Sequence, residues 1–254
     1  MINRDQLCDF LDDLLAPKQF QDYGPNGLQV EGTEDIKKIA FAVSATRDSI
    51  TEAVKQKAQA LIVHHGLFWR FHGPKTVTGP FAKRLKPLIQ NDINLIGYHL
   101  PLDAHIEFGN AAGLAKAFGM ENLEPFAFEK GAYIGVKAEL KTAMSGSDFS
   151  KKLESVLGHT VLHACPNDAG TIQSVGIITG GANSQWNLAL SDGLDAYITG
   201  EMSEHDWNEA RESDIHMFAG GHHATERFGV LSLKELLEKE FDIETVFIDS
   251  ENPA

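Results

Sequence analysis

Three short stretches of this chain put histidines and carboxylates where chemistry is usually done. The first is Ala60-Leu61-Ile62-Val63-His64-His65-Gly66, in which four apolar residues read as a short buried strand and the glycine marks its exit from a sheet. The second is His99 with Asp103 four residues on, and the third is Gly220-Gly221-His222 with Glu226 four residues on. His222 and Glu226 stand at i and i+4, so on a first helical turn they share a face and can share an ion. Imidazoles and carboxylates without thiolates suit Zn, Mn, Fe, Co or Ni and do not select among them. A carboxylate can also bridge two cations ~3.5–4 Å apart, as in two-metal hydrolytic sites, and Asp103 and Glu226 are the candidates for that role. His64 and His65 are neighbours on a strand and are expected to point to opposite faces. Each would then hold one of two ions, or both would reach one ion after the strand twists out of its pleat. The plainer alternatives are that one histidine caps the strand, that Glu226 serves a helix amino terminus by its charge, and that His222 and His223 are turn residues. A folded protein has little other reason to gather such groups at several strand tips, which favours the metal.

The elements that must position these residues follow from periodicity. Asn3 or Asp5 can cap a helix through Leu7, Phe10, Leu11, Leu14 and Leu15, stopped by Pro17. A loop dense in turn formers, Asp22 to Val30, then enters a strand. Ile36 to Ser44 reads as a strand, about Asp48 to Lys57 as a helix, and the histidine strand follows, giving a β-α-β unit with parallel strands. A loop carrying Trp69, Phe71 and His72 precedes a helix near Pro80 to Gln90 and a strand Ile93 to Tyr98 that ends at His99. Pro101-Leu102-Asp103-Ala104-His105 reads as a loop, Asn110 to Phe118 as a helix, Glu121 to Leu140 as short strands and turns, and Ser147 as the cap of a helix ending at Gly158. A second β-α-β run starts at Gln173, passes Gly180-Gly181 and a helix near Asn183 to Leu190, and reaches a strand Asp195 to Thr199. The strand Ile215 to Ala219, a helix Leu231 to Phe241 and a strand Ile243 to Ile248 complete the pattern. Ile39–Gly66 and Ser174–Glu201 are both 28 residues long and overlay strand on strand and helix on helix. The expectation is an α/β protein of two related lobes with β-α-β units in each half, residues 1–125 and 126–254, interlinked as one domain.

Composition narrows the class. With 254 residues, 43% of them hydrophobic, the chain can bury a substantial core. A formal charge of -14 argues against an exposed basic surface for duplex nucleic acid or anionic lipid. The two cysteines, Cys8 and Cys165, form no CxxC pair, so neither a disulfide framework nor a thiolate zinc site is indicated, and a reducing compartment suits them. The first 13 residues carry four aspartates among leucines, the pattern of an amphipathic helix and not of a signal peptide. No apolar run approaches the ~20 residues needed to span a bilayer, so a soluble cytoplasmic protein is expected. There is no phosphate-binding GxxxxGK[ST] loop, GxSxG turn, HExxH helix or GxGxxG fingerprint. Gly180-Gly181 can expose amides to a phosphate, although such a pair is more often just a tight turn.

Several motifs together resemble one family. Asp22-x-x-Pro25-Asn26-Gly27-Leu28-Gln29-Val30, Val63-His64-His65-Gly66, His99-x-Pro101-Leu102-Asp103, Thr199-Gly200-Glu201 and Gly221-His222-x-x-Thr225-Glu226 are similar to the signatures of the NIF-three-like proteins (NGG-interacting factor three), also called type 2 GTP cyclohydrolase homologues. The resemblance covers nearly the whole chain, in family order, and fits the short bacterial form without an inserted domain. It implies a two-lobed α/β subunit, a toroidal homohexamer, and two divalent metal ions per subunit facing the interior. Carried over by position, the ligands are His64, His65, Asp103, His222 and Glu226, which settles His222 over His223. Longer relatives often carry a histidine shortly after the Thr199-Gly200 motif; His205 stands near it but is not counted as a ligand.

The function expected on these grounds is metal-dependent hydrolysis of purine nucleotides, with GTP ring opening at C8 and release of formate as the named candidate. His99 is the expected proton donor, or else a residue that orients a ligand; a hydrogen-bonded strand end is the alternative. A rival of another class is a metal-stabilised hexameric scaffold or regulatory protein that acts by partner binding. A ring threading single-stranded nucleic acid is a third, and would need Lys and Arg lining its hole.

Overall fold

The computed structural model describes residues 1–166 and 170–254. In chain order its elements are β1 (Ile2–Asn3), α1 (Arg4–Leu15), β2 (Gly27–Val30), β3 (Asp35–Ile36), β4 (Lys38–Ser44), α2 (Arg47–Lys55), β5 (Ala60–His65), α3 (Gly79–Gln90), β6 (Asn94–Gly97), α4 (Leu100–Ala104), α5 (Asn110–Phe118), β7 (Glu121–Glu129), β8 (Ala132–Met144), α6 (Gly146–Leu157), β9 (Leu162–Ala164), β10 (Ile172–Ile177), α7 (Trp186–Ser191), β11 (Ala196–Thr199), α8 (Glu204–Glu212), β12 (His216–Ala219), α9 (His222–Thr225), α10 (Arg227–Glu240) and β13 (Glu244–Phe247). No described helix is long and apolar enough to cross a membrane.

The chain divides into two compact units, Met1–Leu102 with Gly229–Glu251, and Asp103–Phe228 with Asn252–Ala254. This differs from a single boundary at 125/126. The carboxy-terminal strand β13 pairs in parallel with β4, which returns it to the first unit's sheet.

The first unit is built on a five-stranded sheet of order β13-β4-β5-β6-β2, in which β2 alone runs antiparallel to its neighbour. Strand alternation sorts its side chains into two cores. Ile39, Phe41, Ala60, Ile62 and Ile96 pack on one face with Leu7 and Leu11 of α1 and Leu233 and Leu237 of α10. Ala40, Ala42, Leu61, Val63 and Leu95 pack on the other with Ile50 and Leu88. Each fully buried Leu or Ile contributes about 1.5–3 kcal/mol, so β5 is anchored firmly up to the histidines. Helix α1 starts where the Asn3 side chain accepts from the Asp5 amide, and ends at Ala16, held at φ 44° ahead of Pro17.

The second unit carries a six-stranded sheet of order β7-β8-β10-β11-β12-β9. Val175, Ile177, Ala196, Ile198 and Phe218 face a core closed by Phe118, Phe149 and Leu153. Tyr197, Met217 and Ala164 face a second core with Trp186 and Ala189. The internal duplication is visible in the ladders: Ile39 faces Ala60 and Val175 faces Ala196, a separation of 21 residues in each case. It extends further than the sequence overlay reached. β2 flanks β6 antiparallel as β9 flanks β12, and a helix, α1 or α6, precedes each of those edge strands.

Three local expectations change. The segment 121–140 forms the two long strands β7 and β8, because β8 finds a partner on each side, β7 and β10. Ser145, not Ser147, caps α6 by accepting from the Asp148 amide; Ser147 falls inside the first turn. The expected loop at Pro101 is the short helix α4, with Pro101 in its first turn, where the missing N–H costs nothing.

Candidate metal centre

Three imidazoles meet at the carboxyl end of the first unit's parallel strands. His64 and His65 end β5, His99 follows β6, and one ring nitrogen from each lies within 4.8 Å of the others. The rings of His64 and His65 are 4.5 Å apart, so these two histidines do not diverge to opposite faces. Gly66 is needed there, since a Cβ at that position would lie 2.2 Å from Gln29 Oε1, the atom that accepts from the Leu67 amide.

Each ring is aimed by the hydrogen bond of its other nitrogen. His64 Nδ1 donates to the Tyr98 carbonyl at 3.0 Å and His99 Nδ1 donates to Asp22 Oδ1 at 2.7 Å, which fixes the orientation of each ring. His65 Nδ1 pairs with Ser44 Oγ on the adjacent strand. Asp22, 5% exposed, is itself gripped by Asn26 Nδ2 and by the amides of Tyr23 and Leu100. Burial works against its charge, but His99, Asn26 and Tyr23 hold it below the usual carboxylate range. Metal-ligating histidines are oriented in this way, by a carboxylate or a carbonyl on the far nitrogen.

The second unit gathers the acids. Asp103 in α4 and Glu226 at the end of α9 are 6% and 2% exposed, and an oxygen of one lies within 4.8 Å of an oxygen of the other. Two unit charges at that distance repel by about 3–4 kcal/mol at an effective dielectric of ~20. Asp103 Oδ1 accepts from Asn110 Nδ2 and Thr179 Oγ1. Glu226 Oε2 is 3.2 Å from His222 Nε2, and His222 Nδ1 is 2.5 Å from Glu201 Oε1. Burial opposes protonation of His222, yet Glu226 and Glu201 together raise it to about 9. The imidazolium is thus the local positive charge beside Glu226. Gly180 makes room for this group: it has φ +69°, and a Cβ on it would fall 2.0 Å from Glu226 Oε1.

Within the first unit His64, His65 and His99 are therefore brought together; within the second, Glu226 lies against both Asp103 and His222. These donors fit divalent ions, being oxygens and neutral-capable imidazoles on rigid strand ends. His223 is buried and donates its amide to the Ala254 carbonyl. His205 lies on α8 beside Asp206 and joins no ligand group among the described residues. The Gly180 amide donates to Thr225 Oγ1, so it is committed to the turn and not offered to a phosphate. The roles of Asp22, Glu201, Asn110, Thr179 and Ser44 are not legible in the sequence. Asp22 and Glu201 lie inside the family-like motifs, and the duplication sets Glu201 at a strand tip, which is the sequence signal for them.

Fold and site define a two-unit α/β protein with buried imidazole and carboxylate groups able to bind metal. The sequence profile of the Duf34/NIF3 family (NGG1p interacting factor 3) matches residues 2–253. The chain belongs to that family. It is 46% identical over 254 residues, all of both chains, to a Haemophilus influenzae protein named GTP cyclohydrolase 1 type 2 homolog, and 41% identical over 252 residues, 98% of each, to an Escherichia coli K12 protein of the same name. Among solved structures, the ybgI protein, described as of unknown function, superposes with a TM-score of 0.93 at 40% identity over the full length of both chains. A Thermus thermophilus protein gives 0.89 at 32%, again over both full lengths.

Proposed function

We propose that the protein is a hydrolase of purine nucleotides in which His64, His65, Asp103, His222 and Glu226 hold two divalent ions. The observation that carries this reading is the approach of two buried carboxylates, Asp103 and Glu226, which favours a cation at that point. Ions bound there supply Lewis acidity, which makes water a nucleophile near neutral pH. His99, oriented by Asp22, is suited to deliver a proton to the leaving nitrogen. The names of the relatives support GTP as the substrate: one water would add at C8 to open the ring to a formamide, and a second would release formate. A cleft of about 450 Å³ in the first unit, lined by Trp69, His72, Lys75 and Arg84 beside Gly66, suits a nucleotide, with an aromatic face for the base and cations for phosphates. Burial first, and Arg84 second, push the Lys75 pKa down, a cost that an anion would relieve.

The same reading carries a homohexamer in the cytoplasm. The test is formate release from GTP by chelator-treated protein reloaded with Mn or Zn, beside its mass in solution. Turnover abolished in both His65→Ala and Glu226→Gln, with hexamer mass retained, supports the enzyme. Protein that never turns over but loses its assembly on chelation overturns it in favour of a metal-stabilised scaffold.

A further inference from the structure

A second group of metal-ligating side chains lies on the edge of the other sheet, apart from every residue used above. β9 is an edge strand and pairs antiparallel with β12, Ala164 facing Met217 and His163 facing Phe218. Continued by one residue, that register sets Cys165 opposite His216. Residues directly opposed in a ladder, and those two apart along a strand, share a face. His163, Cys165 and His216 therefore project together, and one ligand atom from each lies within 4.8 Å of the other two.

The geometry is that of a site and not of a chance encounter. His163 Nε2 and His216 Nδ1 are 3.0 Å apart. Two nitrogens on a tetrahedral zinc at ~2.0–2.1 Å would be about 3.3 Å apart, so little movement is needed. His216 Nε2 donates to the Gly170 carbonyl, which fixes the tautomer and leaves Nδ1 with the lone pair, turned into the cluster. His163 then supplies the proton between them. Asn94, which opens the third parallel strand of the first unit as His216 does in the second, binds the Gly32 amide and the Thr33 and Gln59 carbonyls. His216 gives one nitrogen to a loop carbonyl in that way and turns the other on His163.

The cluster is held from several sides. The His163 ring stacks on Phe218 at 4.2 Å, and α6 begins directly over the pair, where a Cβ on Gly146 would lie 2.7 Å from His216 and 2.8 Å from His163. Arg211 Nε donates to the Cys165 carbonyl and pins the backbone behind the thiol. Burial, and for His163 the neighbouring ring, keep both imidazoles neutral, with His163 lowered to about 4, and neutral imidazole is the ligating form.

We propose that His163 Nε2, Cys165 Sγ and His216 Nδ1 form a separate binding site for a thiophilic divalent cation of the zinc class, with a fourth position open to water. On binding, the Cys165 thiol gives its proton to solvent and turns from the Pro166 carbonyl to the ion, while the His163 proton passes from Nε2 to Nδ1. One proton is released per ion bound.

Two experiments on the full-length, chelator-treated protein test this. In the first, Co(II) is titrated in and the near-ultraviolet sulfur-to-cobalt charge-transfer band is followed, a signature that the imidazole and carboxylate groups of the other centre do not give. The band should reach the amplitude of one thiolate-bound Co(II) per chain once all sites are filled, disappear in Cys165→Ser, weaken in His163→Gln, and persist in Cys8→Ser and Glu226→Gln. A missing band, or one that survives Cys165→Ser, overturns the proposal. The second reads alkylation of the unsubstituted protein peptide by peptide: Zn(II) should slow labelling of Cys165 by at least about tenfold, because the thiolate is the reactive form and would be capped, and leave Cys8 unchanged. Equal labelling of Cys165 with and without saturating Zn(II) would refute the site even if a variant failed to fold.

Discussion

At neutral pH the competitor for the metal proposed at His222 is a proton. With its value raised to about 9 by Glu226 and Glu201, against the ordinary 6.5, the ring is protonated about a hundred to one at pH 7. Displacing that proton from Nε2 costs about 2.7 kcal/mol at pH 7 and half as much at pH 8. The affinity for the ion held by His222 should thus rise about tenfold from pH 7 to 8 and flatten above 9, whereas a ring titrating at its ordinary value would give less than about a twofold rise. The assay is calorimetric titration of chelator-treated Cys165→Ser protein with Zn(II), in buffers of differing ionisation enthalpy. It should count about one proton released at His222 at pH 7. Glu201→Gln keeps an acceptor for Nδ1 but removes a charge, so the steep region should move to lower pH. The metal-free protein shows the opposite trend. A raised folded value stabilises fully below about pH 6.5, and that contribution is lost as pH rises through 9. Affinity that stays flat from pH 7 to 9, with no proton released, would refute the placing of His222 in the centre.

Other perturbations follow from the same contacts. Gly180→Ala in a Cys165→Ser background should lose the ion beside Glu226, measured by dialysis, because the Cβ would enter the space of Glu226 Oε1 and a left-handed φ costs a further ~1–2 kcal/mol. Asp22→Ala strips the acceptor from His99, Asn26 and two amides and should destabilise by about 1.5–3 kcal/mol in urea titration. Its folded value lies below the ordinary 3.8, so in the unsubstituted protein that stability is full above about pH 4 and lost as pH falls through the lower value; the variant's acid unfolding should lack this contribution. Phe41→Ala, in the fully buried centre of β4, should cost about 3–5 kcal/mol without altering the proton count of metal binding, which separates core from site.

What the chain discloses to a reader of its sequence divides along physical lines. Parallel strands such as β4 and β5 are apolar on both faces and read as runs, and a histidine or acid just past such a run stands out because nothing in packing calls for it. Orientation is less visible. The partner that aims His99 is Asp22, 77 residues away, and Thr179 reaches Asp103 across 76, so each depends on which strands become neighbours and not on any local pattern. The duplication shows the same limit. Both halves keep a 21-residue ladder offset and place a short helix, α4 or α9, beyond their third parallel strand, so the backbone repeats. The side chains do not: in the sequence overlay the positions of His64 and His65 are taken by Thr199 and Gly200, which bring no imidazole. Gly200 is required there for a different reason, since a Cβ on it would come within 2.6 Å of the His222 Cα. The second copy thus gives up donors at its strand tip to let the turn bearing His222 and Glu226 pack against it. A repeat detected in sequence predicts where such groups fall, and steric room at the second strand's tip decides whether imidazoles stand there, as at His64 and His65, or none do, as at Thr199 and Gly200.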